Sequence, residues 1–230
     1  MIIRHPLPLL TKESKPMSIN KTNTVLLLQD LHVPFTDVTN GLLIKHAKTK
    51  VLMREFEEYV ELIGQMVPNI PLMLNASRAI GIPVVYSCLG IKGNEKVSPL
   101  LDAFGWEWDL LGPLGKFDSE WKPMDKDPVF GRGGWSALTN HEFVGLLRNT
   151  AISNVLIMGT MLEYGIRQTA VELGDIGISS LIISDGTAAL TRFSQDFTSD
   201  SIAHGLIKLR STGETLAILD RCKIEPSVLV

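Results

Sequence analysis

The chain has 230 residues, of which 45% are hydrophobic and 20% charged, with a formal net charge of −3. That is enough chain for a full globular core, and 22 basic residues against 25 acidic ones, with no basic block, give no sign of a nucleic-acid partner. No run approaches the ~18 apolar residues of a membrane span, so no membrane partner is expected, and Pro6 and Pro8 break the smooth apolar core that a secretory signal needs.

Residues 1–22 carry Pro6, Pro8 and Pro16 and show no period. They read as an N-terminal arm that docks on the body or on a neighbouring subunit, leaving one domain over residues 23–230. Thr24–Gln29, TVLLLQ, is a short apolar run of the kind buried on both faces of a parallel sheet, and it ends at Asp30. Leu52, Phe56, Val60, Ile63 and Val67 mark a helical stripe, stopped by Pro68. Leu72–Ile80 reads as a second helix with Gly81 as its C-terminal cap. Pro83–Cys88 reads as the next buried strand.

Residues 89–127 place Trp106, Trp108 and Trp121 among glycines and prolines without a long period, which predicts an extended excursion with short helices. Pro128–Phe130 is a short strand, followed by the turn Gly131-Arg132-Gly133-Gly134. Thr139 and Glu142 have the spacing of a capping box for a helix whose apolar face is Phe143, Leu146 and Leu147. Asn154–Met158 is a strand ending at Gly159, and Leu162, Ile166, Ala170 and Leu173 are the stripe of the next helix. Ser180–Ser184 is a strand ending at Asp185. Ile202, Leu206 and Leu209 mark a helix, and Thr215–Leu219 a last strand.

This alternation predicts a single α/β domain with a mainly parallel, doubly wound sheet and helices on both faces. Ligands bind such sheets outside the carboxyl ends of the strands. The rule singles out Asp30, Cys88–Leu89, Phe130–Arg132, Gly159–Gly165 and Asp185. Asp30 is a carboxylate at the lip of a buried sheet, where a turn or cap role is the plainer alternative. Arg132 lies among glycines that let backbone approach a ligand, although a surface arginine in a turn is the plainer reading. GRGG lacks the phosphate-loop pattern. The free N–H groups expected after Gly159 could form an anion or oxyanion site. Cys88 is a candidate nucleophile, but buried cysteines are more often packing residues. His32 is a candidate proton carrier or a polar rim residue.

Two cysteines, Cys88 and Cys222, make no disulfide framework and fit a reducing, cytoplasmic setting. His5, His32, His46, His141 and His204 show no metal-binding spacing, so neither a metal nor another cofactor is expected. The apolar surplus and the unplaced arm point to a homo-oligomer, a dimer or a tetramer.

Taken in order, VLLLQD with Phe35 after four intervening residues, then GRGGWSAL, then Gly159-Thr160-Met161-Leu162-Glu163-Tyr164-Gly165, resemble the isochorismatase-like hydrolase superfamily. That superfamily includes nicotinamidases, carbamoylsarcosine amidases, ureidoacrylate hydrolases and isochorismatases. The resemblance covers residues 22–220 and implies that Asp30 is the catalytic carboxylate. The family lysine falls on Arg132, which keeps the charge but is wider and does not readily deprotonate. The nucleophilic cysteine of amidase members falls on Gly165, so a thioester route is closed. Nicotinamidases carry metal ligands after the second strand; here that stretch is Ser87-Cys88-Leu89-Gly90-Ile91, and no metal is implied.

The isochorismatase branch also has glycine at the nucleophile position. There the Asp protonates the vinyl carbon of an enol ether, water attacks the oxocarbenium carbon, and the hemiketal collapses to pyruvate and a diol. Leu89 stands where that branch has glutamine, so isochorismate itself is not the expected substrate. Leu89, Trp106, Trp108 and Met161 imply a more apolar pocket, with Phe35, Trp135, Tyr164 and Gly165 also against the substrate.

Three readings follow. The leading one is a cysteine-independent hydrolase of a small organic molecule, with Asp30 as general acid or base and Arg132 as its charge partner. The second is a non-catalytic relative that binds a small molecule or a protein. The third moves cysteine chemistry to Cys88.

Overall fold

In the computed structural model, residues 16–39, 41, 43, 45, 53–92, 96–224 and 228–230 are described. Met17 leads into β1 (Ser18–Ile19), which pairs antiparallel with β8 (Val228–Leu229) at the other end of the chain. Residues 1–15 of the expected arm lie outside the described residues. The next elements are β2 (Thr24–Gln29), the one-turn helix α1 (Val33–Thr36), α2 (Met53–Met66), α3 (Asn69–Ile80) and β3 (Val84–Leu89). Then come α4 (Pro99–Ala103), β4 (Val129–Arg132), α5 (His141–Asn149), β5 (Asn154–Thr160) and α6 (Arg167–Asp175). The chain closes with β6 (Ser179–Ala188), α7 (Arg192–Ile202), β7 (Ile207–Arg210) and α8 (Thr212–Arg221).

Six strands form one parallel sheet in the order β4-β3-β2-β5-β6-β7. Every residue of β2 is buried because the strand lies at the centre with helices on both faces. Leu26 and Leu28 point into one core with Tyr59, Ile63 and Met73 of α2 and α3. Val25 and Leu27 point into the other, with Phe143 of α5 and Ala170 and Leu173 of α6. The two-residue period of the strand separates these cores. From β2 the chain winds outward through β3 and β4. It then returns to β5, on the other side of β2, and winds outward again. The order therefore reverses between β2 and β5, and that crevice is where open α/β sheets bind ligands.

Local signals explain most elements. Gly81 adopts φ +80 and closes α3, with its N–H on the Arg78 carbonyl and the Ile82 N–H on that of Ser77. On α2 the buried face is Phe56, Tyr59, Leu62, Ile63 and Met66, rotated from the expected stripe, with Val60 and Val67 only partly buried. Leu52 lies outside the described residues. The cap of α5 is Asn140, not Thr139: its Oδ1 accepts the Phe143 N–H at 2.8 Å. Thr139 belongs to a preceding single turn, Ala137–Thr139.

The C-terminal third corrects the sequence reading. The helix expected around Leu206 and Leu209 ends at Ile202, and Ile207–Arg210 is the edge strand β7. Its Ile-Lys-Leu-Arg alternation is a two-residue period. The strand expected over Thr215–Leu219 is part of α8, whose start is fixed by a capping box between Ser211 and Glu214. Thr212, Thr215 and Leu219 are its buried stripe. A five-residue apolar run cannot by itself distinguish strand from helix. No helix among the described residues is long and apolar enough to cross a membrane.

Candidate active site

Asp30 follows β2 at the switch point and has φ +55, a left-handed conformation that aspartate tolerates better than most residues. Its N–H donates to the Ser87 carbonyl at 2.9 Å, and Thr160 Oγ1 donates to its own carbonyl at 3.0 Å. Strands β3 and β5 thus hold its backbone from both sides.

The Asp30 side chain meets Arg132, the last residue of β4 rather than a turn residue beyond it. Asp30 Oδ1 accepts from Arg132 Nη1 at 2.9 Å and from the Leu89 N–H at 2.6 Å, while Oδ2 accepts from Arg132 Nη2. Arg132 Nη1 also lies 3.4 Å from Ser87 Oγ, and its Nε donates to the Trp135 carbonyl at 3.2 Å. The two side chains are 5% and 0% exposed, so the pair is desolvated. A planar guanidinium meets a carboxylate through two parallel bonds, which a lysine at this place could not reproduce.

Gly165 lies against this pair. A Cβ there would sit 2.5 Å from Gln29 Nε2, 3.2 Å from the Trp135 carbonyl oxygen and 3.4 Å from Arg132 Nη2. Gln29 is itself held, with Oε1 accepting from Thr169 Oγ1 at 2.9 Å and Nε2 donating to the Trp135 carbonyl at 3.3 Å. The space of a side chain at 165 is therefore taken by an amide and a guanidinium. Gly165 belongs to a wide π-type turn, Leu162–Ile166, that leads into α6. The Tyr164 and Ile166 N–H groups of that turn both donate to the Met161 carbonyl, so neither is left for an oxyanion. The Thr160–Met161 peptide is cis.

Of the sequence candidates, Asp30, Arg132, Leu89, Trp135 and Gly165 come together in direct contact. Phe35 is buried one layer further out, against Trp106 and Trp108. Tyr164 is half-exposed and stacks on Trp135 with ring centres 5.0 Å apart, and Met161 is buried at the turn. Asp185 does not join them. Strand β6 continues past it to Ala188, and its carboxylate accepts from the Thr212 N–H and hydroxyl, a cap for α8. Cys88 is buried, and burial pushes its thiol pKa up, with Asp30 adding to the effect. A neutral, closed-off thiol does not support a nucleophilic role.

Gln29, Ser87 and Thr169 are not singled out by the sequence, and Thr160 is covered only as part of the stretch Gly159–Gly165. Only Gln29 left a signal, a polar side chain ending an apolar strand that is buried on both faces. The others act through contacts made by distant segments.

His32 is fully buried. Its Nε2 meets the Leu89 carbonyl at 2.9 Å and so carries the proton, while Nδ1 is buried without a partner among the described residues. The Leu89 backbone thus bonds Asp30 through its N–H and His32 through its carbonyl. Burial pulls the His32 pKa down to about 4, against the opposing pull of Asp30. The folded state keeps this ring neutral where the unfolded chain protonates it. Stability therefore falls as pH drops from about 6.5 to about 4, by about 3 kcal/mol from this residue. Urea unfolding of the native protein and of His32→Phe across that range checks it: the variant is expected to lose that part of the slope.

A doubly wound sheet with a desolvated carboxylate–guanidinium pair at its switch point defines the α/β class of this protein. The family model for the isochorismatase domain matches residues 25–214. The chain belongs to the isochorismatase-like hydrolase family. Its fold is similar to that of a cysteine hydrolase from Pseudomonas syringae pv. phaseolicola, with TM-score 0.74, 18% identity, and 91% of this chain and 99% of that one covered. It is also similar to an isochorismatase family protein from Burkholderia thailandensis, with TM-score 0.64, 19% identity, and 90% and 100% covered. A third similar structure is N-carbamoylsarcosine amidase from Thermoplasma acidophilum, with TM-score 0.63, 16% identity, and 83% and 96% covered.

Proposed function

We propose that this chain hydrolyses a small organic molecule without a thiol nucleophile, with Asp30 as the group that holds and moves the proton and Arg132 as its charge partner. The buried Asp30–Arg132 fork at the switch point carries the reading. Burying an ion pair is a poor route to stability, because desolvation of both charges offsets their attraction. A pair kept where the sheet binds ligands, on a residue with φ +55, supports a chemical role. Glycine at 165 supports the thiol-free route.

The geometry also bears on the direction of proton transfer. Three N–H donors converge on the Asp30 carboxylate, which suits its ionised form. Asp30 then starts as a proton acceptor, drawing a proton from water as it attacks. An enol ether or other acid-labile substrate needs one Asp30 oxygen freed from Arg132 so that it can carry a proton. The proposal includes a reducing, cytoplasmic setting, supported by a content of only two cysteines, and a homo-oligomer.

A second reading, a relative that binds without turnover, is favoured by one observation: both Asp30 oxygens are occupied and Gln29 fills the space beside Gly165. One experiment separates the two. The native chain and Asp30→Asn are assayed against a panel of esters, amides and enol ethers. On the hydrolase reading, the native chain turns over one class and the variant is slower by about 100-fold or more. Equal rates remove Asp30 from the mechanism. No turnover, with a small molecule retained in native mass spectrometry, supports the binding reading.

A further inference from the structure

The amino ends of β2, β3 and β4 line a cavity at the end of the sheet opposite Asp30. It has a volume of about 520 Å³, within the range of small-molecule sites. Val25, Val84, Leu146 and Ile152 give it an aliphatic lining, and Arg78 and Lys126 contribute charge. We propose that this cavity binds a small organic anion, an apolar body carrying one carboxylate or sulfonate.

Arg78 decides the chemistry. It projects from the last turn of α3, and its Nη2 donates to Asp127 Oδ2 at 2.6 Å. Asp127 is buried and also accepts the Met124 N–H at 3.1 Å. Both bonds fall on the same oxygen, Oδ2. Arg78 Nε, in contrast, is buried with no hydrogen-bond partner among the described residues. A buried guanidinium N–H without an acceptor is unusual, and a ligand oxygen is one way to satisfy it.

The charge balance agrees. Arg78 and Lys126 against Asp127 leave one net positive charge around the opening. Both cations are donors only, so the ligand must bring acceptors. The aliphatic lining requires that the rest of the ligand be apolar. The cavity exceeds the room needed by one water, about 30 Å³, more than tenfold, so a single bridging water does not fill it. The site shares no residue with the Asp30 centre and does not depend on the chain being a hydrolase.

The probe is 2-naphthoate, with 2-naphthalenemethanol as its neutral counterpart, titrated by calorimetry against the full chain. Naphthoate is expected to saturate at one molecule per chain and to bind at least about tenfold more tightly than the alcohol. Arg78→Gln should weaken naphthoate by about tenfold or more. Because that change also removes the partner of buried Asp127, Thr150→Trp provides a second test. Thr150 is exposed and lines the same cavity, so the indole should obstruct it while leaving the ion pair in place. Absence of saturable binding overturns the proposal. So does equal binding of the alcohol, or naphthoate affinity unchanged in a folded Thr150→Trp.

Discussion

Arg132→Ala is expected to lower the unfolding free energy by about 3–5 kcal/mol, a large share of the stability of a domain this size. The reason is not the loss of an attraction by itself. Asp30 stays buried where β2, β3 and β5 hold it, with the Leu89 N–H as the remaining donor to its carboxylate among the described residues. The carbonyl of Trp135 loses its Arg132 donor as well, though Gln29 still reaches it. Equilibrium urea unfolding at neutral pH measures the loss. A double variant, Asp30→Leu with Arg132→Met, should recover most of it, because removing both charges also removes their desolvation cost. If the double variant is as unstable as Arg132→Ala, the loss comes from packing and not from an orphaned charge.

Gly159→Ala should cost about 4 kcal/mol or more, combining backbone strain with overpacking. Gly159 pairs with Gln29 across the β2–β5 seam and has φ +124, a conformation closed to residues with a Cβ. An alanine Cβ would lie 1.9 Å from the Gln29 carbonyl oxygen, and backbone cannot swing away as a side chain can. The seam must open at the peptide that precedes Asp30, so the charged pair is disturbed along with the fold. Gly174 in α6 is the control. It has open space around its Cβ position, and alanine there is expected to be neutral or stabilising by about 0.4–1 kcal/mol. Thermal melts of the two variants check the contrast; equal melting temperatures would show that the seam adapts.

The sequence was most legible where one residue acts locally. Gly81 announces the end of α3 because its φ of +80 favours glycine. TVLLLQ announces a central strand because a sheet covered on both faces needs no polar alternation. It was least legible where two structures share a pattern. The run Thr215–Leu219 suits a strand or a helix, and the bond between Ser211 and Glu214 settles it as α8. Asp185 looked like Asp30, an acid after an apolar run, yet β6 continues and that carboxylate caps α8 instead.

By itself, the sequence determined the α/β class, the order of the central elements, and the presence of a carboxylate, a cation and a glycine at three strand ends. These follow from periodicity and chain order, which are properties of neighbours in sequence. What only the tertiary structure decided is how those ends meet. Asp30 and Arg132 are 102 residues apart, and sheet order alone brings them into a two-bond fork. The same packing places the Gln29 amide where a side chain at 165 would go, and buries Arg78 Nε without a partner among the described residues, beside the cavity at the amino ends of the strands. Hydrogen bonds and desolvation depend on distances between segments, and those distances exist only once the sheet has formed.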